Sequence, residues 1–268
     1  MSRSDLITII SIVLIFLSTT LGASFVFFFR KDLSPKMKSI ILGFAGGIMI
    51  SAAFFGLILP SIEESKSINI YDGWNFLPPV IGFILGGVML YLLDKLIPHF
   101  HKMQNVEEGM KSKRISENFK FFLAVTIHNI PEGLSVGFAC GLAMILKDEA
   151  SIAASSAALS LAIGISIQNI PEGAAVSVPL YGDGMKRTRA FLFGGFSGIV
   201  EPIFAIIGLF LAQLSILVPW LLSFAAGAMI YVTLDELIPE SREHGFNHLS
   251  MFAFFVGFVI MMVLEIIL

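Results

Sequence analysis

Two segments concentrate the reactive side chains of this sequence: His128-Asn129-Ile130-Pro131-Glu132-Gly133 and, forty residues on, Gln168-Asn169-Ile170-Pro171-Glu172-Gly173. Residues three and four apart share one face of a helix, so His128 and Asn129 project with Glu132, and Gln168 and Asn169 with Glu172. Imidazole, amide oxygen and carboxylate together suit borderline-to-hard divalent cations such as zinc, iron(II), manganese or cobalt. Copper(I) would call for sulfur. The single cysteine, Cys140, builds neither a disulfide framework nor a thiolate cluster, and none of the 12 methionines lies in either segment. Proline has no N–H, so Pro131 is expected to free the carbonyl of Ile127, and Pro171 that of Ile167, with a local kink at each. Pro202, beside Glu201, is expected to do the same.

These segments sit in strongly apolar surroundings. The chain has 268 residues, 56% hydrophobic and 14% charged, with a mean hydropathy of +0.87. Soluble domains carry about a quarter charged residues, so the chain belongs in lipid. Net charge is -3 and no basic run is interleaved with aromatics, which disfavours nucleic acid as a partner. Glu132, Glu172 and Glu201 fall where no Lys or Arg lies between Phe121 and Leu146, Ile152 and Leu180, or Ala190 and Pro219. A carboxylate near the bilayer centre costs at least a few kcal/mol unless it is protonated, hydrated or paired. A bound cation would relieve all three. Three ionised Glu with neutral His leave one negative charge when one divalent ion is bound and one positive charge when two are, so a two-metal centre bridged by Glu132 and Glu172 is compatible with the charge.

The elements that must position these residues are membrane-spanning helices. Crossing a hydrocarbon core takes roughly 20 apolar residues, and such stretches occur at about 6–29, 39–62, 77–97, 119–146, 152–180, 190–213, 216–238 and 248–268. The expected fold is all-α integral membrane: eight transmembrane helices with inverted repeats, the metal site between helices 4 and 5. The first stretch is too long for a signal-peptide core and lacks a small-x-small cleavage site, so it is expected to be the first span. One transmembrane domain, 1–268, accounts for the chain, and its one long charged join, about 95–118, is expected to be a mobile loop.

Lys and Arg resist translocation, and they alternate from join to join. They gather in joins 1–2 (Arg30, Lys31, Lys36, Lys38), 3–4 (Lys95, Lys102, Lys111, Lys113, Arg114, Lys120), 5–6 (Lys186, Arg187, Arg189) and 7–8 (Arg242), whereas the other side has only Arg3, Lys66 and Lys147. A multi-pass protein of the plasma or inner membrane with both termini on the non-cytoplasmic side follows. Spans 4 and 5 then run in opposite directions, each with N-I-P-E-G at mid-span. Spans 2 and 7 echo each other likewise, Phe44-Ala45-Gly46-Gly47-Ile48-Met49-Ile50 against Phe224-Ala225-Ala226-Gly227-Ala228-Met229-Ile230. Inverted repeats with Pro/Gly-interrupted helices at the midplane point to a transporter site.

On these motifs, eight spans and a charged third join, the sequence resembles the ZIP (Zrt/Irt-like protein) family of divalent metal transporters, in its prokaryotic, GufA-like branch. The resemblance implies eight helices in a 3+2+3 arrangement, import of zinc, with iron, manganese, cobalt or cadmium as further substrates, no cofactor beyond the transported ion, and a homodimer. It implies a first site of His128, Glu132, Gln168 and Glu172 and an adjoining site of Asn129, Glu132, Asn169, Glu172 and Glu201. Many relatives have His in place of Gln168. It also implies an inner release site from Asp94, His99, His101, Asp235 and Glu236, near the Leu93-Asp94-Lys95-Leu96-Ile97-Pro98 and Leu234-Asp235-Glu236-Leu237-Ile238-Pro239 segments. Glu265 is expected to be an interfacial residue without a role, and Cys140 an apolar filler.

Two rival functions remain from the residues alone. An intramembrane metal-dependent hydrolase would also use His and Glu on one helix, but His128 and Glu132 form H-x-x-x-E rather than H-E-x-x-H. A metal-gated channel is the second. The primary reading is a transporter and not an enzyme.

Overall fold

In lipid every backbone N–H and C=O must find its partner within the chain, and a helix does this locally. The computed structural model describes residues 3–28, 34–96, 99–101, 106–108, 117–182, 184–243 and 245–267, and among them the apolar stretches are helical. In chain order the helices are α1 (Arg3–Ala23), α2 (Pro35–Ser51), α3 (Leu59–Ser67), α4 (Leu77–Leu96), α5 (Glu117–Ile145), α6 (Asp148–Gly182), α7 (Arg187–Ser197), α8 (Val200–Ala212), α9 (Val218–Val232), α10 (Ile238–Arg242) and α11 (Asn247–Ile267). Several join end to end. The rods Arg3–Phe27, Pro35–Ser67, Asp148–Gly182, Arg187–Ala212, Ser215–Arg242 and Asn247–Ile267 are long and apolar enough to cross a membrane, and Leu77–Leu93 and Asn129–Ile145 are shorter apolar helices. These segments fall on the eight stretches expected from hydropathy. The chain is a multi-pass membrane protein.

Two joints within these rods are π-helical, Ala52–Ile58 between α2 and α3 and Thr233–Leu237 between α9 and α10. A proline follows each, and the missing N–H of Pro60 and Pro239 falls opposite Gly56 and Asp235, inside the widened turns. Widening to an i→i+5 pattern keeps the helix going past a proline ring that would strike the carbonyl four residues back. Leu59 N thus donates to Phe54 O, and Ile238 N to Thr233 O.

Span 6 is broken. Its two halves, α7 and α8, meet at Gly198–Ile199, and Pro202 lies in the first turn of α8. There a proline removes no intrahelical bond, because the first N–H groups have no partner to lose. The expectation that Pro202 frees a carbonyl within a continuous helix is therefore corrected. The interruption comes from the Gly198 turn, and Glu201 N donates to Gly198 O at 3.2 Å. By contrast, α5 carries Pro131 internally and α6 passes Pro171 without a break.

Helix packing is dominated by four pairings, α1 with α6, α5 with α8, α2 with α11 and α4 with α9. Small residues let these backbones approach, which is how helices associate where lipid is as apolar as their side chains. A Cβ on Gly137 would strike the Ala205 backbone, and one on Gly47 the Phe254 carbonyl. Ile48, Leu57, Phe138, Leu161, Ile165 and Met229 form the core between the pairs. Outward faces are apolar too, as on α1, where Leu6, Ile9, Val13, Leu17 and Leu21 are exposed.

The described part of the third join is not simply a loop. Strands β1 (His99–His101) and β2 (Val106–Glu108) pair antiparallel, His99 opposite Glu108 and His101 opposite Val106, and β1 lies against α5. Residues 102–105 and 109–116 of that join lie outside the described residues.

Candidate metal centre

Helices α5 and α6 each bring their motif face to the interior, and α8 meets them with the first turn that carries Glu201. Asn129, Glu132, Gln168, Asn169 and Glu201 are all buried, and Glu172 is half-buried. Their side chains form one hydrogen-bonded network. Gln168 Nε2 donates to Glu132 Oε1 across the helix pair, and to Glu172 Oε2 at 3.2 Å along its own helix, with a longer 3.5 Å contact to Asn169 Oδ1. Asn169 Nδ2 donates to Glu201 Oε2 at 2.6 Å and to the Ile15 carbonyl at 3.2 Å. Asn129 Nδ2 donates to Glu201 Oε1 and to the Ser197 carbonyl, both at 3.2 Å.

Local structure explains these partners. Ser197 ends α7, so its carbonyl lacks an intrahelical donor, and Asn129 supplies one. Glu201 lies where the unpaired N–H groups and positive dipole end of α8 favour a carboxylate. Among the described residues three neutral donors reach this acid. The third donor is Thr19 of α1, whose Oγ1 lies 2.8 Å from Glu201 Oε1.

Three buried oxygens of the network, Asn129 Oδ1, Glu132 Oε2 and Gln168 Oε1, receive no hydrogen bond among the described residues. A buried acceptor left unmade typically costs about 1–3 kcal/mol. Oxygens of this type, amide and carboxylate, are the ligands of hard and borderline divalent cations. Among the described residues no three side chains drawn from His, Cys, Asp and Glu alone form a ligand group. The donor set is mixed, and amides link the carboxylates.

Comparison with known proteins places the chain in a family. The family model for the ZIP zinc transporter matches residues 5–120 and 114–265. The chain is 32% identical to zinc transporter ZIP11 of Homo sapiens, over 92% of this chain and 93% of that protein. It is 35% identical to zinc transporter ZupT of Chlorobaculum parvum, over 92% of each, and 35% identical to zinc transporter GufA of Myxococcus xanthus, over 88% of this chain and 89% of that protein. The chain belongs to the ZIP family.

Within this ZIP chain the remaining expected residues lie on several elements. The backbone of His128 lies in α5 just before Asn129, while its side chain is outside the described residues. Asp94 is in the last turn of α4 and His99 and His101 are on β1, and their side chains likewise lie outside. Asp235 and Glu236 sit in the second π segment, Asp235 exposed and Glu236 buried. Glu265, expected at the interface, is half-buried on α11, its carboxylate close to where a Cβ on Gly56 would lie. Cys140 is buried, as expected of a filler.

Thr19 is the network member that sequence reasoning missed. Thr8, Ser11, Ser18 and Thr19 are the buried polar positions of α1, opposite its exposed Leu and Ile face. That one-sided pattern was the available signal, although it names no partner.

Proposed function

We propose that this ZIP protein carries divalent transition-metal ions into the cytoplasm through the buried network on α5, α6 and α8, with zinc foremost. The three unsatisfied oxygens of Asn129, Glu132 and Gln168, beside the carboxylates of Glu172 and Glu201, carry this reading. The names of its ZIP11, ZupT and GufA relatives, each a zinc transporter, support zinc. Iron(II), manganese, cobalt and cadmium fit the same oxygen-rich donors.

An Asn or Gln amide has a donor end and an acceptor end, and half a turn of the side chain exchanges them. In the arrangement described, the NH₂ ends hold the acids together. When an ion arrives, Asn129, Gln168 and Asn169 turn their oxygens to it, joined by Glu132, Glu172 and the imidazole of His128. Glu132 and Glu172 bridge a first position, with His128 and Gln168, and an adjoining one, with Asn129, Asn169 and Glu201. Three carboxylates accommodate one or two divalent ions.

In this reading α5 and α6 are an inverted pair, both termini face away from the cytoplasm and two copies form a homodimer. An inner set of Asp94, His99, His101, Asp235 and Glu236 receives the departing ion. Hydrolase chemistry is not favoured in a family of transporters. Uptake of zinc and competing divalent ions into vesicles holding the purified protein tests the function: saturable uptake is expected, and its absence, or hydrolysis without uptake, would overturn it.

A further inference from the structure

We infer that Thr19 is a positioning residue of the transport site: its hydroxyl sets the carboxylate of Glu201, and through it the affinity of the adjoining metal position. The inference rests on the ligand set proposed above.

The two N-I-P-E-G motifs end in glycines that perform matching tasks. A Cβ on Gly133 in α5 would strike the backbone of Glu201 on α8, and a Cβ on Gly173 in α6 would strike the backbone of Thr19 on α1. Each motif glycine thus admits one partner helix, at Glu201 in one case and at Thr19 in the other. Thr19 is held from a second side, because a Cβ on Gly198 would lie 2.7 Å from Thr19 Cβ. The residue is fully buried, and its one hydroxyl proton has Glu201 Oε1 at 2.8 Å, across 182 positions of sequence, as a nearer and charged acceptor than the Ile15 carbonyl of its own helix at 3.2 Å. A site for this side chain is therefore built into three helices.

Among the described residues Glu201 has three side-chain donors, Asn129, Asn169 and Thr19. Two of them are proposed ligands whose amides turn toward the ion when it binds. Thr19 alone among the three has no ligand role, so it is the donor that still holds the carboxylate in the loaded state. Without it, Glu201 must be ordered by the ion itself, and the affinity falls.

Equilibrium zinc binding to the purified protein, with vesicle uptake, tests this. Thr19→Val keeps the shape and removes the hydroxyl, and it should weaken the binding step that Glu201→Ala also weakens by about ten-fold, the size expected for a hydrogen bond to a charged acceptor. Thr19→Ser should recover binding to within about three-fold. On a Glu201→Ala background Thr19→Val should add almost nothing, since the two share one interaction. Ser18→Ala, which removes only a hydroxyl bonded to the Ile15 carbonyl of its own helix, should bind and transport normally. Should Thr19→Val fail to insert, Thr19→Ala serves in its place. Unchanged binding in Thr19→Val, equal loss in Thr19→Ser, or full additivity with Glu201→Ala would overturn the inference. If Glu132→Ala abolishes binding while Thr19→Val does nothing, only the role of Thr19 fails. If Glu132→Ala leaves binding intact, the ligand set fails and the inference with it.

Discussion

Glu132 and Glu172 differ from the acids at the ends of the spans because one interior amide, that of Gln168, donates to both. Alanine at either should abolish metal uptake while the protein still inserts. Glu149→Ala, at an exposed position in the first turn of α6, is the comparison and should transport normally. Equal loss of uptake at all three, with equal expression, would move the site away from α5 and α6. Glu201→Gln asks a narrower question. The substitution keeps the shape but reduces the ligand charge, so a second divalent ion would leave two uncompensated positive charges in a low-dielectric interior. One ion per chain and reduced uptake are expected, read by metal analysis of purified protein beside vesicle transport. The same change converts one carboxylate oxygen into a donor facing Asn129, Asn169 or Thr19, which should cost about 1–3 kcal/mol of stability.

Among the helices, the motif glycines govern how closely α1 and α8 approach the ligand-bearing pair. Gly173→Ala forces the Thr19 carbonyl away and should displace α1, at a cost of about 1–3 kcal/mol, the usual range for overpacking. Uptake should fall with it, because Thr19 and the Ile15 carbonyl are both bonded to the network. Gly182→Ala, where an added Cβ meets nothing within 4 Å, should leave stability within about 0.5 kcal/mol and uptake unchanged. Thermal denaturation in detergent, run beside vesicle uptake, compares the two. The proline-associated π joints and the Gly198 break belong to the same level of organisation. Each π joint lets an apolar rod continue past a proline that a regular α-helix would not accommodate, whereas the Gly198 turn divides its rod in two.

For the molecule as a whole, the distribution of Lys and Arg predicts that the join between α4 and α5 faces the cytoplasm and the loop after α3 faces outward. Cysteine labelling in intact cells reads this directly. With the native Cys140 buried and alone, Ser67→Cys should react with an impermeant thiol reagent and Ser112→Cys should be protected. Ser112 lies outside the described residues, so its accessibility rests on the charge pattern alone. The reverse labelling would invert the orientation and, with it, the direction of transport.

The eight apolar segments were legible because lipid imposes a minimum length on every crossing, and a length can be counted along a chain. The sharing of a face by Asn129 and Glu132, or by Gln168, Asn169 and Glu172, was legible for a similar reason: residues three and four apart on a helix are neighbours whatever lies around them. Glu201 could be singled out by its lack of a nearby basic residue, yet its actual partners could not, since Thr19, Asn129 and Asn169 arrive from three other helices. The freed carbonyl expected beside Pro202 does not arise, because a proline's effect depends on its distance from the helix start: α8 begins at Val200, and the Gly198 carbonyl accepts from Glu201 N. Pairing of β1 with β2 was likewise hidden, within a charged join whose composition alone reads as loop. Local spacing is written in the chain, but which helix stands opposite a motif glycine depends on close packing between segments far apart in sequence, and only the folded molecule brings Thr19 to Gly173 and Glu201 to Gly133.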